Sequence, residues 1–465
     1  MLEKLAKQTA IYGISTIVVR FLNYLLTPYY TRIFDEGTYG IVTDVYALIP
    51  FALVLLSMGM ESSYFRFTTR AEEAGGDVAR NKRKVFATTW GVTSLAAVVF
   101  CMGVVAFRVP LSAAMGAAYE AHTEYISLVA LIVLLDVWSI IPFSRLREQG
   151  RAMTFVAFKA VNVFLNVALA IAFGLAGLYS TDFGVGWVFV ANLAASAATL
   201  LLALPIIDRR LLAKILVYSL PLLISGLAGT ANEFIDRQMI KYLAPGGEAA
   251  AMAELGVYGA IVKIAVVMTL FTQMYRLAAE PFFLSSFKKS DFVEANAAAM
   301  KYFVMASAVI FTGIVLFKDM FALIVGERFR QGIGILPLVL AANVLSGIWL
   351  NLSFWYKREE KTRYAAYITF LGLGITLALS FLLVPRWGYR GAAWVRLAAE
   401  AAMVVWSYIL CRRHYPIPYD LGRMGEYALI TAAIYGIGHA AGMRLVPAAA
   451  IGVNCLLFAA MLAYM

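Results

Sequence analysis

An all-α protein that crosses a bilayer about fourteen times is the fold this sequence predicts. Three observations carry that expectation. Only 14% of the 465 residues are charged and 62% are hydrophobic, where an average soluble domain is about 25% charged. Mean hydropathy is +0.78. Stretch after stretch runs the roughly 20 apolar residues that a bilayer core requires, and the basic residues fall preferentially on alternate sides of them. A soluble chain of this length needs far more polar surface. Soluble enzyme, disordered chain and disulfide scaffold are therefore excluded.

Six spans are free of charge: Phe86–Phe107, Ala160–Thr181, Phe183–Ile207, Gln331–Tyr356, Tyr364–Pro385 and Leu445–Met465. Seven more carry a charge or two, near 9–31, 39–60, 122–144, 213–235, 256–279, 302–317 and 389–410, and a shorter one lies near 425–443. The first follows Lys4 and Lys7 but is too long for a signal-peptide core and has no A-x-A site after it. It is read as a retained helix. Cys101, Cys411 and Cys455 are far apart and form no metal or disulfide pattern.

Orientation follows from the basic residues, which gather in cytoplasmic loops. With the N-terminus inside, 25 of the 39 Lys and Arg residues are cytoplasmic, ten are outside and four lie within spans. Both termini are then cytoplasmic. The net charge of +11 is a determinant of topology, and nucleic acid is not an expected partner. The two longest cytoplasmic loops fall near 66–84 and 280–300.

A weak internal repeat divides the chain. Gly37-Thr38-Tyr39-Gly40 opens span two, and Gly256-Val257-Tyr258-Gly259 opens span eight, six helices later and in the same orientation. Parallel repeats of this kind are a transporter device, two bundles about a central cavity. Spans 1–6 would fill a lobe over 1–207, spans 7–12 a second over 208–415, and 416–465 would add two helices.

The run Tyr29-Tyr30-Thr31-Arg32-Ile33-Phe34, followed by Glu36-Gly37-Thr38-Tyr39-Gly40, resembles the polysaccharide and oligosaccharide flippases of the multidrug/oligosaccharidyl-lipid/polysaccharide exporter superfamily. The resemblance implies two pseudo-symmetric six-helix lobes around a central cavity, and alternating access. It also implies a cargo of oligosaccharide linked to undecaprenyl diphosphate, and polysaccharide assembly proteins as partners. Members close to the lipid II flippases also carry fourteen helices, so helix number leaves the subfamily open.

A charge at a helix centre costs about 2.5–3.5 kcal/mol on insertion scales and marks a functional candidate. Arg20 lies eleven residues from either end of span one, too deep to reach water comfortably. Asn23 and Tyr24 share its polar face, and a guanidinium there suits a diphosphate. A structural ion pair with Asp44 is the alternative. Lys263 in span eight, beside Gly256 and Gly259, is either a cavity cation or a snorkelling lysine. Lys159, whose face continues through Asn162 and Asn166, is read first as snorkelling and second as a cargo contact. Arg396 and Glu400, at i,i+4, are expected to neutralise each other. The candidates for ion coupling or charge balance are Asp44, Asp136, Glu233 and Asp236, with a proton or sodium ion as the coupling ion.

No G-x-x-x-x-G-K-[ST] loop, HExxH motif or His/Cys cluster occurs, so no cofactor or metal is expected, and no enzyme. Three readings remain: a lipid-linked oligosaccharide flippase, a lipid II flippase or cation-coupled drug exporter of the same superfamily, and a membrane-embedded polysaccharide polymerase or ligase. The basic character of the deep residues favours an anionic cargo. The short outer loops speak against a polymerase.

Overall fold

The computed structural model describes residues 24, 26–73, 77–202, 234–286, 292–359, 361, 363–444 and 446–465. Among them all regular structure is helical. Among the described residues, seven helices are long and apolar enough to cross a membrane, or eight if one bent pair counts as a span. The chain forms two compact units. The first takes in Met1–Leu26 and Gly37–Gln238, and the second Thr27–Glu36 and Met239–Met465.

The first unit opens with α2 (Glu36–Ser57), which follows the short α1 (Leu26–Ile33), nearly all of it in the second unit, and begins with an acid in its first turn, where the helix dipole favours one. Met58 (φ 48°) and Gly59 (φ 67°) then break the helix, and α3 (Met60–Glu73) runs on beyond the break. The expected loop 66–84 is thus mostly helix. Ser63, Tyr64, Thr68 and Ala71 bury one face of α3 while Arg66 and Arg70 are exposed. An amphipathic helix end looks like a loop when only hydropathy is counted. Asp77 caps α4 (Val78–Ala106) by accepting a hydrogen bond from the Arg80 amide at 3.0 Å.

Two small helices, α5 (Arg108–Met115) and α6 (Ala117–Glu120), precede α7 (Glu124–Glu148), α8 (Ala152–Leu175) and α9 (Gly186–Leu201). Helix α7 packs on α4 and α9, and α9 packs on α8. A charged layer ties the ends of α3, α4 and α7. Lys82 bridges Glu72 and Glu148, at 2.7 Å from the latter, and Arg147 pairs with Glu61. Met60, Tyr64, Val85, Phe86 and Ile141 form the apolar layer beside it.

In the second unit, α10 (Glu248–Ile264) and α11 (Val266–Ser286) meet at Ala265 with a bend of 50°. The span expected near 256–279 falls across this bend. Helix α12 (Phe292–Leu316) starts ten residues earlier than its apolar stretch, so the second expected loop, 280–300, is also largely helical. After the short α13 (Lys318–Ala322) and 3₁₀ turns at Glu327–Ile335 comes α14 (Leu336–Arg358).

Helix α15 (Arg363–His414) consists of two helices joined across a kink at Gly388, with φ 53° and ψ −133°. Glu254 accepts a hydrogen bond from the Tyr389 amide at 2.8 Å, satisfying a donor freed by that break. Gly347 lets α14 approach α12, since a Cβ there would overlap the Phe303 ring. Close approach through small residues is how helices associate where lipid removes the hydrophobic drive. Helices α16 (Leu421–Arg444) and α17 (Pro447–Tyr464) complete the unit.

The segment Thr27–Glu36 packs within this second unit although its sequence neighbours belong to the first. Thr31 Oγ1 accepts a hydrogen bond from the Gly326 amide at 2.9 Å, and Arg32 donates to the Leu323 carbonyl at 3.0 Å.

Candidate functional site

Polar groups inside an apolar helical unit must find partners within it, since lipid offers none. Among the described residues of the first unit, the candidate polar groups form two clusters. Asp44, on α2, has no exposed surface. It accepts one hydrogen bond from the Tyr119 hydroxyl and one from Gln238 Nε2, each 2.7 Å. Asp236, two residues before Gln238, is 3% exposed; it accepts from the Arg237 amide at 2.8 Å and lies 3.5 Å from the Arg237 guanidinium.

The second cluster joins α7, α8 and α9 with α2. Ser196 Oγ donates to Asp136 at 2.7 Å and to Asn192 Oδ1 at 3.5 Å, and Asn192 Nδ2 donates to the Tyr46 hydroxyl at 3.0 Å. Asn162 donates to Thr199 Oγ1 at 3.0 Å. The Lys159 ammonium lies 4.4 Å above the Phe143 ring, a cation–π contact, and is attracted to Asp136 and, more weakly, to Glu61.

In the second unit, Asn343 of α14 is the junction. Its Nδ2 donates to the Ala265 carbonyl at 3.4 Å and to Thr269 Oγ1 at 3.2 Å, and its Oδ1 accepts from Arg396 Nη2 at 3.2 Å. Lys263 occupies the last turn of α10, half-buried, two residues before the bend. Gly256 and Gly259 are buried, so their face packs against protein. Tyr24 is half-buried. Arg20, Asn23 and Glu233 lie outside the described residues. Among the described residues, no group of three or more His, Cys, Asp or Glu side chains is placed to hold a metal ion.

Sequence reasoning names Asp44, Asp136, Asp236, Lys159 and Asn162 but not the Tyr119, Gln238, Ser196 and Thr199 side chains that hydrogen-bond to three of them. Tyr119 sits in what reads as an outer loop, and Gln238 is separated from Asp44 by 194 residues. The Asn343–Ser346–Gly347–Asn351 stripe of α14 and the Lys159–Asn162–Asn166 face of α8 carry a visible signal for their clusters. Glu254 gives none.

The polysaccharide biosynthesis protein family matches residues 5–287, more than half of the chain. The chain belongs to that family. Comparison with curated proteins finds no sequence match. Among solved structures, the lipid II flippase MurJ in an inward closed conformation superposes with a TM-score of 0.76 at 11% identity, covering 98% of each chain. An inward-facing multidrug resistance MATE family transporter of the MOP superfamily gives 0.70 at 15% identity, covering 88% of this chain and 98% of that one. An outward-facing conformation of a multidrug resistance MATE family transporter gives 0.61 at 15%, covering 91% and 96%. This member of the polysaccharide biosynthesis family is thus an all-helical, multi-pass membrane protein with the fold those transporters share.

Proposed function

We propose that the chain is a flippase that carries an oligosaccharide linked to undecaprenyl diphosphate from the cytoplasmic to the outer leaflet of a bacterial inner membrane. The observation that carries this reading is the family match over 5–287. In it the chain has fourteen spans, cytoplasmic termini and two lobes that alternate access to a cavity, with the last two helices added to the second lobe. Arg20 and Lys263 grip the diphosphate, and Asn23, Tyr24, Asn162 and Lys159 line the path. Cations deep in spans favour an anionic cargo over cationic drugs. Asp44, Asp136, Glu233 and Asp236 hold charge balance or a coupling proton or sodium ion. The chain itself makes and breaks no covalent bond.

The test is genetic and chemical. A strain lacking the gene should accumulate lipid-linked oligosaccharide on the inner leaflet while lipid II supply and drug tolerance stay normal. Rescue of a strain depleted of its lipid II flippase would favour lipid II as the cargo, and altered drug tolerance alone would favour the exporter reading.

A further inference from the structure

Helix α10 ends at Ile264, and Ala265 carries the bend into α11. No proline or glycine lies within five residues of it on either side, so the cause of the break must be sought in what packs there. Ala265 is fully buried, and no water meets the backbone groups that the break frees. Its carbonyl accepts from the Met268 amide at 3.2 Å and from Asn343 Nδ2 at 3.4 Å. Asn343, 6% exposed, is held in turn by Thr269 on α11 and by the Arg396 guanidinium from α15. Three helices thus meet the bend through one amide side chain.

We infer that Asn343 and Arg396 are positioning residues that set the α10–α11 bend and so aim Lys263. The inference rests on Lys263 being a cargo cation, as proposed above. It adds to the sequence expectation for Arg396: beside the expected pairing with Glu400 at i,i+4, the guanidinium orients the amide that holds the bend. Lys263 lies in the last turn before the break, so a change of bend redirects its side chain. The amide of Asn343 suits the task because it donates to a carbonyl on one side and accepts from a cation on the other.

The test uses the full-length protein in membranes, with Cys101, Cys411 and Cys455 replaced by Ala and Lys263→Cys as the reporter. The rate at which a negatively charged methanethiosulfonate modifies that cysteine is compared with and without Asn343→Leu, Arg396→Met and Arg396→Lys. Asn343→Leu and Arg396→Met should change the rate by about tenfold or more, the shift that losing one buried charge-assisted hydrogen bond can produce. Arg396→Lys keeps a donor and should stay close to the parent. An unchanged rate in both disruptive variants overturns the inference. Loss of both from the membrane also overturns it, by making the contact a requirement for folding rather than for aim. Export in Lys263→Cys alone tests the underlying reading separately: full export there removes Lys263 from the cargo path and leaves the labelling result standing.

Discussion

Asp44 has no exposed surface, and its two 2.7 Å hydrogen bonds come from groups 75 and 194 residues away. Either donor can be removed by itself. Tyr119→Phe takes away the hydroxyl and little else, leaving one carboxylate oxygen a partner short in a buried setting. The expected cost is about 1–3 kcal/mol, seen as a lower melting temperature of the purified protein. Tyr242→Phe, at a residue 58% exposed, should leave it unchanged. Equal stability of the two variants would mean that the Tyr119 hydroxyl contributes nothing to holding Asp44. Neither Tyr119 nor Gln238 is legible in the sequence as a partner of Asp44, because a hydrogen bond between distant segments leaves no local pattern.

At the scale of the element, the apolar run Gln331–Tyr356 announces α14, and Pro385 with Gly388 announces the division of α15. The bend at Ala265 is not legible, since no glycine or proline marks it and its supports come from α14 and α15. Helix ends rich in charge, such as α3 beyond Arg66, read as loops because hydropathy measures depth and not helicity. The motif at Tyr29–Phe34 is legible as a family mark, but its contact with the 323–326 turn is not. That contact makes a prediction at the same scale. A Cβ at Gly326 would overlap the Thr31 carbonyl oxygen, while one at Gly374 meets nothing within 4 Å. Gly326→Ala should destabilise by about 1–3 kcal/mol through overpacking. Gly374→Ala, in a helix, should be neutral or slightly stabilising. Thermal unfolding in detergent compares the two, and matching curves would deny the close approach.

At the scale of the whole molecule, the proposed orientation rests on the charge asymmetry of the sequence. Single cysteines at Glu73 and Glu248, both exposed, in a background without the native cysteines, should react oppositely with an impermeant thiol reagent. Glu248→Cys should label from outside and Glu73→Cys only after permeabilisation. Labelling of Glu73→Cys in intact spheroplasts would reverse the topology.

Movement of an anionic, lipid-linked cargo is measured most directly by reconstitution. Purified protein in liposomes, loaded with an undecaprenyl-diphosphate oligosaccharide in both leaflets, is exposed to an impermeant glycosidase. With the parent protein the enzyme should consume nearly all of the lipid-linked sugar, as inner-leaflet molecules are brought out. Arg20→Ala should slow this markedly, and Arg20→Lys should restore only part of it, since a point charge does not reproduce the paired grip of a guanidinium on a diphosphate. Consumption that halts at the outer-leaflet share with the folded parent protein, as in empty liposomes, would contradict flipping by this chain.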